Sequence, residues 1–158
     1  MTQNLVRVVD VYPYRKTDQG HEFLLLRRAV GVVYAKQWRM IGGKIHPQES
    51  AWQTGLRELY EETGRIPHLF WVLPSINTFY NWATDTICHT PAFAAELQAD
   101  PILNHEHDAF AWFSAQEAIQ YLAWDEQKRL LMLLNQVLSE KRLLSDWIIP
   151  HLRETTHI

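Results

Sequence analysis

The sequence has a single cysteine, Cys88, among 158 residues. No internal disulfide can brace it, and such usage suits a reducing compartment. No apolar run approaches the ~20 residues that cross a bilayer as a helix. The opening Met1–Arg7 segment lacks the apolar core of a signal peptide, so cytoplasmic residence is the expectation. Positive charge is not in excess: 15 Lys and Arg stand against 18 Asp and Glu, a formal net charge of -3. That balance gives no bulk attraction to nucleic acid or to an anionic membrane. There is no G-x-x-x-x-G-K-S/T loop, which excludes a P-loop nucleotidase. His46, His68, His89 and His105 stand at no spacing that makes a zinc site. Internal repeats, linkers and low-complexity tracts are absent as well.

What is present is enough apolar residue, 47% of the chain, to bury the core of one domain spanning residues 1–158. Seven Trp, six Tyr and six Phe exceed what such a core needs, leaving some rings available to stack on a flat ligand. Leu5–Tyr14, rich in Val and Tyr, reads as a strand, with Pro13 near an edge or bend. A turn at Lys16–Gly20 leads to a strand at His21–Arg28, whose Phe-Leu-Leu-Leu centre predicts burial on both faces. A loop at 29–37 and a short strand at Trp38–Ile41 then reach Gly42-Gly43. His68–Asn77 and Thr86–Leu97 read as strands joined by an aromatic turn, Thr78–Asp85. Ala99–Asp108 is a loop and Ala109–Phe113 a strand. Ser114 with Glu117 predicts a complete capping box for a helix to about Leu122. A last helix is expected over about 125–144, with Leu130, Leu133, Leu134, Val137 and Leu138 at helical spacing, followed by a tail at 145–158. Strands flanked by one early and two late helices predict an α/β (α+β) fold, a mixed sheet sandwiched between helices.

The stretch Gly43–Arg65 stands apart. Ser50 is a good N-cap and Gly64 a good C-terminal stop, so a helix is expected between them. Trp52, Leu56, Leu59 and Thr63 form its core stripe, bordered by Ala51 and Gly55. Glu58, Glu61 and Glu62, at i, i+3 and i+4, share the other face. Like charges at that spacing cost a helix a few tenths of a kcal/mol per pair, and a cation would offset the cost. Clustered carboxylates are hard oxygen ligands suited to Mg²⁺ or Mn²⁺.

This stretch resembles the Nudix box, G-x5-E-x7-R-E-U-x-E-E-x-G-U, where U is bulky and apolar. Gly43, Glu49, Arg57, Glu58, Glu61, Glu62 and Gly64 match its fixed letters and Leu59 its first U. At about 6% usage per letter, seven matches at a chosen start arise by chance on the order of once in 10⁸ to 10⁹. Arg65 departs from the last U. Downstream, Asn104-His-Glu-His-Asp108 and Ala109-Phe-Ala-Trp-Phe113 are similar to members acting on dATP and dihydroneopterin triphosphate. The resemblance covers roughly Leu5 to Leu138.

That resemblance implies a Nudix-type α/β/α sandwich and a pyrophosphohydrolase using Mg²⁺ or Mn²⁺. It implies Glu58 and Glu62 as principal metal ligands, Glu61 as a further ligand or base, the Gly43 carbonyl in the same shell, and Glu106 as a metal-binding loop residue. Arg57 and Glu49 would pair and hold the helix against its loop. Arg28, rather than Arg27, is the candidate to fork onto polyphosphate oxygens, with Lys44 and Lys36 as weaker ones. Trp38 and Tyr80, with Phe79 and Trp82, are candidates to stack on a base or pterin; Tyr80 stands where dinucleoside polyphosphate hydrolases of the family often carry tyrosine. The expected substrate is a (deoxy)nucleoside triphosphate or a pterin triphosphate, cleaved to monophosphate and pyrophosphate. Dinucleoside polyphosphates, oxidised nucleotides and a non-catalytic nucleotide sensor are the alternatives, while ADP-ribose and RNA ends fit less well. The tail from Trp147 to Ile158, with its Trp-Ile-Ile-Pro run, suits either a homodimer contact or packing on its own domain.

Overall fold

In a computed structural model, residues 1–151 are described. The strands are β1 (Gln3–Leu5), β2 (Val8–Thr17), β3 (Gly20–Arg28), β4 (Trp38–Arg39), β5 (Ile41–Lys44), β6 (Leu69–Val72), β7 (Asn77–Asn81), β8 (Thr86–Thr90), β9 (Ala92–Glu96) and β10 (His107–Phe113). The helices are α1 (Ala51–Thr63), α2 (Ala115–Tyr121) and α3 (Asp125–Ser139).

Period-two alternation builds two cores on one sheet. The main sheet runs β10-β3-β2-β9-β6, with β4 added to β3 and β5 to β2. Only its β2–β9 pair is parallel, which makes the sheet mixed. Val9, Val11, Leu24, Leu26, Phe70 and Phe93 point to the α1 side, where Leu59 joins them. Tyr12, Tyr14, Phe23, Leu25, Trp71 and Ala94 point to the other side, against Leu130, Leu131, Leu134 and Val137 of α3. The α/β/α sandwich expected from the sequence is therefore the observed architecture.

Several boundaries differ for identifiable reasons. The strand expected at His68–Asn77 breaks after Val72 near Pro74, and that at Thr86–Leu97 breaks at Pro91. Proline lacks the N–H that a ladder needs. The β7–β8 hairpin thereby leaves the main sheet and pairs with β1 as a separate three-stranded sheet. Thr78–Asn81, expected in a turn, belongs to β7. Pro13 sits in a central strand rather than at an edge. Its partner on one side changes from β5, paired as far as Val11, to β3, paired from Tyr14, so the antiparallel registers skip it. The last helix ends at Ser139 instead of about 144. Lys141 takes a left-handed φ of 53° there, and Arg142 N–H donates to the Val137 carbonyl at 2.9 Å, closing the helix as a Schellman motif does.

The caps differ as well. Ser50 and Gln53 of α1 form a full capping box. At α2, Ser114 accepts from the Glu117 N–H, but the Glu117 carboxylate takes the Ser114 hydroxyl, so the reciprocal backbone bond expected there is not made. Gly64 has φ 66° and its N–H reaches the Tyr60 carbonyl at 2.7 Å, ending α1 where expected. Trp147 stacks on Trp71, and Ile149 N–H donates to the Phe70 carbonyl at 2.8 Å. This start of the tail packs on its own domain, and the remainder lies outside the described residues.

The roll of α1 matters most for the site. Its buried line is Gly55, Leu59, Glu62 and Thr63, with Thr54, whereas Trp52 and Leu56 are only half-buried. Gly55 explains the shift from the expected stripe. It lies against the stacked pair Phe70–Phe93, and an added Cβ would come within 3.0 Å of Phe70 and 3.2 Å of Phe93. The helix turns its thinnest side to the sheet and carries Glu62 down with it. Gly55→Val should therefore destabilise by about 1–3 kcal/mol through overpacking, read as a lower urea midpoint with an unchanged m-value.

Candidate active site

The rolled helix delivers its carboxylates to a cavity of about 480 Å³. The walls come from the start of β2, the end of β3, the loop after it with β4, β5, the last turns of α1, the start of β10 and one residue of α3. Glu58, Glu61 and Glu62 all line it, at different depths. The Glu61 side chain is 51% exposed, that of Glu58 13% and that of Glu62 4%. Glu62 accepts from the Gly42 N–H at 3.3 Å. Burial pushes its carboxyl well above the usual range, and the charges of Glu58 and Glu106 push the same way. Burial likewise raises Glu58, against the pull of Arg57.

Arg57 ties these groups to the rest of the domain. Its Nε and one terminal nitrogen hold the two oxygens of Glu49 at 2.9 and 3.1 Å. The other terminal nitrogen meets Glu58 at 2.9 Å and both Glu61 oxygens at 3.3 Å. The terminal nitrogen on Glu49 also donates to the Lys44 carbonyl at 2.9 Å. Bidentate, charge-assisted pairing of this kind is strong and directional. It holds the Glu49 carboxyl down at about 2, with help from the Thr54 hydroxyl and the His46 N–H. Gly43 on β5 faces Glu58 so closely that any Cβ there would occupy the place of its carboxylate.

Across the cavity, Arg28 reaches Glu106 at 3.3 Å and the Val33 carbonyl at 3.1 Å. Arg27 turns away to Asp108, at 2.7 Å. Glu62, Glu106 and His107 offer ligand atoms all within 4.8 Å of one another. His107 is buried, its Nδ1 has no partner among the described residues, and burial lowers its pKa to about 4. Neutral imidazole beside two carboxylates is a donor set that fits a divalent cation, and the raised Glu62 is the group such an ion would satisfy.

Not every expected residue reaches this place. Trp38 packs edge-on against Phe113 and Tyr121 and does not line the cavity, because strand alternation turns it to the α2 side. Tyr80, on β7, is exposed and donates to Asp85 at 2.7 Å, away from the cavity. Phe79, Trp82 and Lys36 also lie outside its lining, whereas Lys44 is within it. Conversely, Asp10, Arg39, Gln127 and His107 line the cavity without having been singled out. Asp10 had a signal, a charge within an apolar strand that is buried on both faces. Arg39 had none. Another cleft, of about 550 Å³, lies beside Arg15, where that guanidinium is already paired with Glu22 and Asp100.

The NUDIX domain family model matches residues 4–134. The CTP pyrophosphohydrolase of Escherichia coli is 35% identical over 112 residues, covering 66% of this chain and 75% of that protein. The asymmetrical bis(5'-nucleosyl)-tetraphosphatase of Rattus norvegicus is 30% identical over 114 residues, 70% of this chain and 76% of that protein. Among solved structures, a NUDIX hydrolase of Listeria monocytogenes superposes with a TM-score of 0.72 at 27% identity, over 85% of this chain and 94% of the other. This chain belongs to the NUDIX family, and its enzyme class is that of a pyrophosphohydrolase. Members of the family generally use divalent metals.

Two measurements probe this geometry. Because the Glu49 carboxyl sits at about 2 in the folded chain against an ordinary 4.5, its contribution is complete above about pH 4.5 and lost as pH falls toward 2. Glu49→Gln should cost about 1.5–3 kcal/mol at neutral pH, the scale of a hydrogen-bonded charge. It should also flatten the acid limb of a urea-unfolding series between pH 4.5 and 2. Gly43→Ala should lower turnover at least ten-fold by displacing Glu58, while circular dichroism shows the native fold.

Proposed function

We propose that this cavity hydrolyses a (deoxy)nucleoside triphosphate, or a pterin triphosphate of similar shape, to the monophosphate and pyrophosphate with Mg²⁺ or Mn²⁺. The observation that carries this reading is one cavity in which the buried Glu62, with Glu58, Glu106 and His107, faces Arg28. Acceptors for a hard cation and a fork for phosphate oxygens are the two requirements of phosphoanhydride cleavage. The similarity to a protein named CTP pyrophosphohydrolase supports a nucleoside triphosphate.

In this reading Glu58, Glu62, Glu106 and the Gly43 carbonyl would hold the cation, with Glu61 at the mouth; these oxygen donors suit Mg²⁺ or Mn²⁺, and His107 would stand beside them as a nitrogen donor. When bound, the cation supplies neutralisation of phosphate charge and a lower pKa for water. Arg28, which lies across the cavity beside Glu106, would take phosphate oxygens in two-point contact. Arg57 and Glu49 touch neither substrate nor cation; they hold Glu58 at its place. Water attacks one phosphorus of the α–β anhydride, the bridging P–O bond breaks, and the products are the monophosphate and pyrophosphate. A cytoplasmic setting, where nucleotides abound, fits the single thiol.

A dinucleoside polyphosphate is the second reading, favoured by the similarity to the rat tetraphosphatase; Tyr80 gives it no support, since it is remote from the cavity. Glu62→Gln should lower turnover by orders of magnitude at matched Mg²⁺ while the metal-free protein melts no lower, because the amide ends the repulsion with Glu58 and Glu106. Products separated from a panel of nucleotides and pterin triphosphates decide the chemistry. Pyrophosphate with a monophosphate is the expected outcome. Stepwise orthophosphate, or near-normal turnover by Glu62→Gln, would overturn the assignment.

A further inference from the structure

The guanidinium of Arg39 lines the cavity in an arrangement that the phosphate chemistry leaves unexplained. It lies 4.3 Å from the ring centre of Tyr34 and 5.2 Å from that of Trp124, and these two rings meet edge-on at 5.9 Å. The guanidinium makes no hydrogen bond or ion pair to any described residue, although arginine offers five donors in a rigid fork. Burial pulls its pKa down, only partly offset by the charge of Asp10. A half-buried cation flanked by two rings, with its donors unused, is prepared for a ligand that arrives with acceptors. The loop that supplies the clamp is itself held in an unusual conformation. Tyr34 and Lys36 have φ of 61° and 65°, values that non-glycine residues adopt at a cost of order 1 kcal/mol or more and that gather at binding sites.

Beside Arg39, Asp10 supplies the complementary chemistry. It is 8% exposed and lines the same cavity. One of its oxygens accepts from Asn77 at 3.0 Å, and the other lies next to Gly42. Gln127 stands alongside, its Oε1 accepting from the Met40 N–H at 3.3 Å. Neither group is needed to hold phosphate, and a buried carboxylate would repel it.

We propose that Arg39 and Asp10 read the flat group of the substrate, selecting a ring edge on which two neighbouring acceptors adjoin an N–H donor. Guanine has this pattern in O6 and N7 beside N1–H, cytosine in O2 and N3 beside its amino group, and a pterin in its carbonyl oxygen and N5 beside the ring N–H. Adenine places its amino group between its ring acceptors, and uracil or thymine places N3–H between its carbonyls, so neither offers an adjacent acceptor pair. The Arg39 fork takes the two acceptors, as arginine does on guanine, and the Asp10 carboxylate takes the N–H. Tyr34 and Trp124 fix the plane of the fork, and with it the plane of the ring. The inference rests on the cavity being a nucleotide or pterin polyphosphate site, and it narrows which ring that substrate carries.

The test compares wild type with Arg39→Gln and Arg39→Lys in two assays: kcat/KM for GTP, CTP, ATP and UTP with Mg²⁺, and calorimetric binding of the four 5'-monophosphates without metal. Wild type should favour guanine and cytosine over adenine and uracil by roughly ten- to hundred-fold in both, the discrimination of one good bidentate pair. Arg39→Lys keeps the charge without the fork and should collapse the ratio. Arg39→Gln should shift it toward adenine, whose N6 and N7 a carboxamide matches. Loss by one common factor across all four nucleotides would make Arg39 a phosphate ligand and overturn the proposal, as would a wild-type preference for ATP or UTP. If no triphosphate is cleaved, the functional reading fails, yet the monophosphate ranking still decides the base preference. Native thermal melts for both variants separate a lost reader from a lost fold.

Discussion

One guanidinium, that of Arg57, connects the elements that the cavity requires to be rigid. It bridges the loop before α1 through Glu49, the helix through Glu58 and Glu61, and β5 through the Lys44 carbonyl. Removing any of these contacts would leave a carboxylate or a carbonyl to find another donor at the rim of a half-buried site, where unpaired charge is costly. The clamp gains its precision from two glycines. Gly55 lets α1 sink onto Phe70 and Phe93, and Gly43 leaves the volume that the Glu58 carboxylate fills. Packing sets the depth of the helix, and the arginine sets its position along β5.

The consequence is a graded row of carboxylates instead of a uniform acidic face. Glu61 stays in water, Glu58 is mostly covered, and Glu62 is buried with its proton affinity raised by burial and by its acidic neighbours. A solvated helix face would not keep Glu62 in this position. The burial of His107 without a partner for Nδ1, next to Glu62 and Glu106, is a second cost concentrated at the same place. The raised proton affinity of Glu62 between two other carboxylates is the term that a bound cation would relieve.

Much of this was legible in the chain. The box letters, the caps at Ser50 and Gly64, and the order of strands with one early and two late helices led to the correct sandwich and to the correct helix. The misreadings have local physical causes. Pro74 and Pro91 divide runs that look continuous in apolar pattern, and the Schellman stop at Lys141 uses a lysine where glycine is the usual signal. Trp38 was judged by residue type, but the strand turns it to the α2 side of the sheet. Arg39, its neighbour, is the one that faces the cavity.

The sequence by itself determined the chemistry, because seven letters at fixed separations within one helix and its loop depend only on helical periodicity and caps, which are local. It also pointed to a sheet covered on both faces, because the unbroken Phe-Leu-Leu-Leu run in His21–Arg28 is a local signal too. The tertiary structure decided how deep each glutamate lies, which arginine meets which acid, and which aromatic rings border the cavity. Those outcomes depend on contacts between residues far apart in the chain, such as Gly55 with Phe70, Arg28 with Glu106 and Arg39 with Trp124, and no periodicity within a single segment specifies them.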